Sequence, residues 1–284
     1  MSPKSNYNAL SPRRERVAEG RVRVMDGAMG TMLLAHGVPL QSCLEELNET
    51  RPALIAEIHR SYLLAGAAIL VTNTFGANRL RLGSRANRLE SLNRRGVQIA
   101  KKVAGQARVF ASIGPLGKSS RKMSPKEMIS LFREQVKSLE KEKPNGYLVE
   151  TMTSLNEAEA AARAVREATD RKLLVSMSFP RGIPRNKEAL FELISTTLRA
   201  AGATAIGINC GFHPEEAFNF LNLFRLVDPG PWMARPAAGL PTRPVFPEEF
   251  AKWGARIAAL GVQYIGGCCH STPAHLRVLK EKLG

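Results

Sequence analysis

Hydrophobic residues along the chain occur in short continuous runs that alternate with longer stretches of helical periodicity. The runs are apolar at nearly every position, which is typical of strands buried on both faces of a parallel sheet. Eight of them are predicted to be strands: Arg21–Met25, Ala68–Thr72, Ala107–Ile113, Gly146–Val149, Lys172–Met177, Thr204–Ile208, Pro231–Ala234 and Gln263–Gly266.

The stretches between these runs have the spacing of amphipathic helices. Within Ala53–Ala65, apolar residues recur three and four positions apart and form one stripe. Ser124 and Pro125 supply an N-cap and a first-turn proline for another helix. Further helices are predicted over residues 154–168, 187–200, 214–226, 247–260 and 273–283.

The alternation of strand and helix predicts an α/β fold. Eight strand–helix repeats in about 260 residues match the size of a single (β/α)8 TIM barrel. An open doubly wound sheet is the alternative, but Asp26–Gly30 lacks the spacing of a dinucleotide-binding fingerprint, and no P-loop occurs. We therefore expect one barrel domain over residues 21–284, after a loose basic tail over residues 1–20.

The composition is that of a globular protein with a large excess of positive charge. The 284 residues are 44% hydrophobic and 23% charged, which excludes a wholly disordered chain. No run approaches the roughly 18 apolar residues of a membrane span, and the polar, Arg-rich start does not resemble a secretory signal. We expect a cytoplasmic protein without a membrane partner. The net charge of +16 points to an acidic partner but not to a fold.

Three of the four cysteines follow predicted strands. Cys210 follows the sixth strand, and Cys268 and Cys269 follow the eighth strand after two glycines. The carboxyl ends of barrel strands meet at one rim, where the active sites of such barrels lie. Three thiolates suit zinc, and three protein ligands leave an open fourth position, as in catalytic zinc sites. His270 is either a further ligand or a solvent-facing side chain, and Cys43 is predicted to be a small hydrophobic residue.

Residues at the other strand ends complete the predicted site. An unpaired carboxylate at Glu150 would be costly after an apolar strand, which favours a charged partner or substrate there. Asp26 could alternatively cap the following helix, and Asn73 and Ser112 could simply satisfy backbone groups at the rim. The predicted set is Asp26, Gly27, Ala28, Asn73, Ser112 and Glu150.

Taken in order, these strand ends resemble the homocysteine S-methyltransferase family, which includes the homocysteine-binding module of cobalamin-dependent methionine synthase and betaine–homocysteine methyltransferase. The resemblance runs from near Arg21 to the C-terminus. It implies a (β/α)8 barrel with one zinc ion held by Cys210, Cys268 and Cys269. The motifs are Asp26-Gly-Ala-Met-Gly-Thr31, Thr72-Asn-Thr-Phe75, Ser112-Ile-Gly-Pro115, Glu150-Thr151, Gly207-Ile-Asn-Cys210 and Gly266-Gly-Cys-Cys269.

The resemblance also implies the reaction, a zinc-dependent methyl transfer to homocysteine that gives methionine. A free thiol with a pKa of about 8.5 is mostly protonated at neutral pH, and binding to zinc would convert it to a thiolate. Glu150 would take the substrate ammonium, and the backbone around Gly27 and Ala28 would take its carboxylate. Asp26 would hold that loop or help position the substrate.

Three segments depart from the family pattern. His270 stands where the family usually has glycine, and Pro236–Pro241 lacks the amide residue of the family's Pro-Asn-Ala-Gly-Leu-Pro segment. Phe179–Arg185 differs from the family's Thr/Gly-rich loop on the methyl-donor side. We expect the donor to come from outside the chain, either as S-methylmethionine or betaine, or as methylcobalamin on a separate corrinoid carrier protein. No aromatic box for an onium donor is evident, which favours the carrier.

Half of the net charge lies in one segment, Arg79–Arg108, which has nine Lys and Arg residues against one Glu. The segment is interpreted as a solvated helical face, as a docking surface for an acidic methyl-carrier protein, or as a nucleic-acid surface. No nucleic-acid-binding motif accompanies it. The alternative function is a basic zinc-containing barrel that binds nucleic acid or another acidic partner without methyl transfer.

Overall fold

The computed structural model describes residues 22–39, 41–180, 182–183, 187–240 and 243–284, so the predicted basic tail over residues 1–20 lies outside the described residues. Within these ranges, the barrel strands are β1 (Arg23–Val24), β2 (Ile69–Val71), β3 (Arg108–Ile113), β4 (Gly146–Met152), β5 (Lys172–Met177), β6 (Ala205–Asn209), β7 (Trp232–Arg235) and β10 (Tyr264–Ile265). These eight strands pair in parallel in the order β1-β10-β7-β6-β5-β4-β3-β2. A parallel bridge between Met25 and Ile69 joins the two end strands, so that the ring closes as a barrel.

Helices connect the strands and cover the barrel. Ser124 and Glu127 form a capping box at the start of one of them, as expected from the Ser-Pro pair. The helices are α1 (Met29–Ala35), α2 (Leu47–Thr50), α3 (Pro52–Leu64), α4 (Arg79–Leu82), α5 (Leu89–Ala104), α6 (Pro125–Glu140), α7 (Leu155–Ala168), α8 (Lys187–Ala200), α9 (Pro214–Phe224), α10 (Pro247–Ala259) and α11 (Pro273–Leu283).

The core has two layers, as the uniformly apolar strands predict. One cluster contains buried side chains from each of the eight strands or their immediate ends, among them Phe110, Leu148 and Met233, and it fills the barrel interior. A larger cluster packs the outer faces of the strands against the helices. The prediction of a single TIM barrel, rather than an open sheet, is therefore confirmed.

The structure differs from the sequence-based expectation in three local elements. Strand β4 continues to Met152 through an irregularity in its pairing with β5, so Glu150 lies within the strand and not after it. Helix α1 begins three residues after Asp26; a helix was expected after the first strand, but its bounds were not predicted. A short antiparallel hairpin, β8 (Gly239–Leu240) with β9 (Arg243–Pro244), also follows β7 unexpectedly.

Candidate active site

A cavity of about 390 Å³ opens at the carboxyl ends of the barrel strands. Residues near the carboxyl ends of β2, β3, β4 and β7 line it, as do residues that follow β1, β2, β6 and β10 and, from the segment before α2, Leu44 and Glu45. Eight of the nine residues singled out from the sequence line this cavity: Gly27, Ala28, Asn73, Ser112, Glu150, Cys210, Cys268 and Cys269. The ninth, Asp26, is buried beside the others and reaches the cavity through Arg235.

The three predicted zinc ligands converge at this rim. The sulfur atoms of Cys210, Cys268 and Cys269 all lie within 4.8 Å of one another. Backbone hydrogen bonds fix the segments that carry them, since Cys210 N donates to Arg235 O and Cys268 N donates to Pro236 O. Four-coordinate zinc with Zn–S bonds of about 2.3 Å separates its sulfur ligands by about 3.8 Å. The thiol cluster therefore fits one zinc ion without rearrangement of the strands.

The thiols interact strongly with one another. Hydrogen bonds from two neighbouring thiols, chiefly that of Cys210 and secondly that of Cys268, lower the pKa of Cys269 to about 3. The pKa of Cys210 is raised, because its thiol donates to the sulfurs of Cys268 and Cys269. Each thiolate thus disfavours ionisation of its neighbours, and a dication would be needed to hold three thiolates together.

Beneath the thiols lies a buried ion-pair network centred on Arg235, a residue that the sequence analysis did not single out. Its Nη1 donates to Glu150 Oε2 at 3.0 Å, and its Nη2 donates to Asp26 Oδ1 at 3.1 Å. Arg235 is the last residue of β7 and lines the cavity. The charged partner expected for Glu150 is therefore present within the protein. Asp26 does not cap α1, because its other carboxylate oxygen accepts from Val71 N at 2.7 Å.

Two carboxylates share one guanidinium in this network. Burial raises the pKa of Asp26 to about 7, although the positive charge of Arg235 opposes the increase. Burial also raises the pKa of Glu150 against the same opposing charge. Both shifts mean that burial disfavours the ionised carboxylates more than the single guanidinium favours them.

Asn209, the residue before Cys210, joins the thiols to this network. Its Oδ1 accepts from Thr151 N at 2.7 Å and from Ser176 Oγ at 2.6 Å. Its Nδ2 lies 2.8 Å from Thr151 Oγ1 and 3.7 Å from Cys268 Sγ. Thr151 and Cys210 both adopt positive φ, 62° and 51°, which is uncommon for residues other than glycine. This amide therefore fixes the strained ends of β4 and β6 relative to each other.

The predicted substrate-binding backbone follows β1. Ser271 Oγ accepts from Ala28 N at 3.2 Å, and Tyr62 OH donates to Ala28 O at 3.1 Å. A Cβ atom at Gly27 would lie 2.8 Å from both Ser271 Oγ and the Tyr62 ring, so this position requires glycine. The Ala28 N–H is thus already paired with Ser271.

Two further predicted residues of the site contact protein groups. Asn73 Nδ2 donates to Leu44 O at 2.7 Å and to Asn48 Oδ1 at 3.1 Å, which positions the segment before α2. Ser112 Oγ donates to Glu150 Oε1 at 2.6 Å. Both residues line the cavity. Asn73 satisfies a backbone group at the rim, as the alternative interpretation expected, whereas the Ser112 hydroxyl bonds a side chain.

The remaining candidates lie outside the thiol cluster. His270 Nδ1 lies 2.9 Å from Gly239 O, so the ring packs against the hairpin and is not grouped with the three thiols. Cys43 packs against the buried side chains of Leu82, Leu89 and Leu92, as a small hydrophobic residue would. Within the two loops that depart from the family pattern, residues 181, 184, 185 and 241 lie outside the described residues.

The cations of the basic segment Arg79–Arg108 make several contacts within the protein. Lys101 donates to the backbone oxygen of Glu142 at 2.9 Å, and Arg81 lies over the ring of Phe75 at 5.2 Å from its centroid. The pairing favours a solvated, internally compensated face over a nucleic-acid surface. Four of the nine cations have carboxylate partners: Arg79 with Glu134, Arg85 with Glu46, Arg88 with Glu46 and Glu49, and Arg94 with Glu90 and Glu142.

Among the described residues, no helix is long and apolar enough to cross a membrane.

Comparisons with known proteins agree with the geometry. The chain is 33% identical over 299 residues to a methionine synthase of Mycobacterium tuberculosis. The aligned region covers 92% of this chain but only 24% of that protein. It is 26% identical over 324 residues to betaine–homocysteine S-methyltransferase 1 of Mus musculus, covering 100% of this chain and 77% of that protein.

The fold is also that of a solved bacterial enzyme. The metallated form of the homocysteine methyltransferase MmuM from Escherichia coli superposes with a TM-score of 0.79 at 24% identity, over 93% of this chain and 97% of that one. The sequence profile described as homocysteine S-methyltransferase matches residues 23–283. The protein therefore belongs to the homocysteine S-methyltransferase family.

Proposed function

We propose that the protein methylates the sulfur of homocysteine to give methionine, using a zinc ion held by Cys210, Cys268 and Cys269. The observation that carries this proposal is the convergence of three thiols, within 4.8 Å of one another, at the rim of a cavity that also contains buried carboxylates. Membership of the homocysteine S-methyltransferase family supports the same reaction.

Zinc with three thiolate ligands would supply Lewis acidity that lowers the pKa of a substrate thiol. The chain itself would orient the rest of the amino acid. Glu150 lines the cavity, and each ionised carboxylate has about four acceptor positions. Ser112, Arg235 and Asn209 use three of those positions, which leaves Glu150 able to accept from the substrate ammonium.

The substrate carboxylate would meet the backbone that follows β1. Since the Ala28 N–H donates to Ser271, the Gly27 N–H is the group that we propose for this contact. Tyr62 and Ser271 pack closely against Gly27 and would hold the loop that follows β1 in place. Asp26 would position this loop through its contacts with Val71 and Arg235. Asn73 and Ser112 would complete the wall of the substrate cavity.

The methyl donor would approach from the mouth of the cavity, where the Cys269 side chain is exposed. Among the described lining residues, Phe75 supplies the one aromatic ring, which is less than an aromatic box for a sulfonium or ammonium donor requires. This favours methylcobalamin on a separate carrier protein over S-methylmethionine or betaine. Arg81 lies beside Phe75, so the start of the basic segment Arg79–Arg108 would be near this mouth. An acidic carrier protein would dock there.

A donor screen tests the function. The zinc-loaded protein is incubated with L-homocysteine and, separately, with methylcobalamin, S-methylmethionine or betaine, and methionine is quantified by mass spectrometry. Methionine formation with one of these donors, and its loss in Cys268→Ala, would support the proposal. The proposal would be wrong if no donor gave methionine above the level of the protein-free mixture.

A further inference from the structure

Arg235 is nearly inaccessible to solvent, yet it lines the substrate cavity. Its side chain is 5% exposed, and its two terminal nitrogens diverge towards two different carboxylates, Glu150 and Asp26. Nη2 also lies 3.4 Å from both Asp26 O and Gly27 O, so the guanidinium contacts the ends of β1 and β4 at once. A planar fork with several donors can bridge two carboxylates in this way, whereas an ammonium is a point charge.

The charges around this guanidinium do not cancel when both of its carboxylate partners are ionised. In that state, two carboxylates and one guanidinium, all buried, leave one net negative charge on the inner wall of the cavity. Among the described residues, Arg235 is the one cation that lines the cavity. A buried charge without a partner is costly, so a ligand that brings one positive charge to this wall is favoured.

We propose that Arg235 is a positioning residue that selects thiol substrates bearing an amino group, because it locks Asp26 and Glu150 in place while leaving one uncompensated negative charge for the substrate ammonium. This inference rests on the proposed function and names the substrate class of the same site. Arg235 acts through Glu150: the guanidinium and Ser112 hold the carboxylate from two sides, at 3.0 Å and 2.6 Å.

The proposal distinguishes the amino group of the ligand from its thiol. L-homocysteine and 4-mercaptobutyrate share the thiol and the carboxylate, and they differ only in the amino group. Their shared interactions cancel in the ratio of the two affinities. That ratio therefore reports on the wall formed by Asp26, Glu150 and Arg235 and not on the thiol cluster.

Binding of both ligands to the zinc-loaded protein is measured by calorimetry in the absence of a methyl donor. We expect the wild-type protein to bind homocysteine at least about tenfold more tightly than 4-mercaptobutyrate, as for one charge-assisted hydrogen bond. In Arg235→Met, the two carboxylates lose their common partner and turn away or share a proton. The preference is expected to fall to about twofold or less, through weaker homocysteine binding alone.

Matched variants separate positioning from general damage. Arg235→Lys keeps the charge but not the fork, so an intermediate preference is expected, and it serves as the test if Arg235→Met fails to fold. Arg199→Met breaks the pair that Arg199 forms with Asp228 at 2.6 Å, outside the cavity. It controls for the loss of an arginine that pairs with a buried carboxylate and is expected to retain the wild-type preference. Zinc content and circular dichroism verify that each variant is folded.

The outcomes are distinct for the two proposals. The role of Arg235 is contradicted if folded Arg235→Met, or Arg235→Lys in its place, keeps the full preference for homocysteine. It is equally contradicted if both ligands lose affinity by the same factor. If the wild-type protein binds homocysteine with the expected preference but forms no methionine with any donor, the proposed reaction fails while the role of Arg235 stands.

Discussion

The sulfur atoms of Cys210 and Cys269 lie 3.5 Å apart, although 59 residues separate them in the chain. Their strands, β6 and β10, are not neighbours, because β7 lies between them in the barrel. Backbone hydrogen bonds across this intervening segment hold both cysteines, from Cys210 N to Arg235 O at 3.3 Å and from Ala238 N to Cys269 O at 2.8 Å. The geometry of the thiol cluster is therefore a property of three barrel strands and not of a local sequence motif.

Replacing any one of the three clustered cysteines should abolish zinc binding. Two remaining thiolates hold zinc far more weakly than three, so bound metal in Cys210→Ala, Cys268→Ala or Cys269→Ala is expected to fall from one per chain to below about a tenth after dialysis. Methyl transfer should disappear with the metal. Elemental analysis measures the stoichiometry, and Cys43→Ala, which alters the thiol outside the cluster, should retain it. Stoichiometric zinc in the triple alanine variant would contradict the site.

The barrel could be predicted from the sequence because its signal is repeated and local. Most strands are continuous apolar runs, and six of the predicted helices occur with both bounds within two residues of those expected. The helix predicted from Ser124 and Pro125 also begins where expected. Helix α1 gave no such signal, since a helix of 7 residues is too short to show periodicity. The hairpin of β8 and β9 was also missed, because strands of 2 residues have no pattern of their own.

The site could be predicted in part because barrels place strand ends together. That rule brought eight residues to one cavity, but it could not show which of them pair with one another. Arg235 lies one position beyond the predicted seventh strand, where an arginine ordinarily faces solvent. In the sequence, Asn209 stands out only as part of a motif, because its role depends on contacts with residues of β4 and β5, which are distant in the chain. An arginine directly before proline at an apolar strand end was the one available signal for Arg235.

Asn209→Ala should destabilise the fold without directly removing a zinc ligand. The change leaves Thr151 N–H and Ser176 Oγ without their acceptor in a buried region. Each unsatisfied buried group costs about 1–3 kcal/mol, so we expect the free energy of unfolding to fall by about 2–4 kcal/mol. Urea unfolding of the zinc-loaded protein measures this change. Asn222→Ala, which removes only a contact with Arg225 on the surface, should stay within about 0.5 kcal/mol of wild type. Equal stability of the two variants would contradict the structural role of Asn209.

The basic segment should give only weak binding to nucleic acid. Four of the nine cations in Arg79–Arg108 are paired with carboxylates, and the segment contains no aromatic residue on which bases could stack. At 0.15 M salt, a fluorescein-labelled DNA duplex is expected to bind with a dissociation constant no tighter than about 1 µM and without sequence preference. Fluorescence anisotropy at several salt concentrations measures this. Nanomolar affinity that is lost in Arg95→Glu and Lys102→Glu would instead support the nucleic-acid function.

Asp26 should make stability depend on pH near neutrality. Burial raises its pKa from 3.8 to about 7 in the folded protein, so the folded state holds the proton more tightly than the unfolded chain. The stability that this bound proton contributes is fully present below a pH of about 4 and is lost as the pH rises through about 7. Between pH 5 and pH 8, wild type should lose about 3 kcal/mol of unfolding free energy relative to Asp26→Asn, at about 1.4 kcal/mol per pKa unit. Urea unfolding at constant saturating zinc measures both proteins. Because the same thiols bind zinc in both, parallel pH curves would show that Asp26 does not hold a proton in the fold.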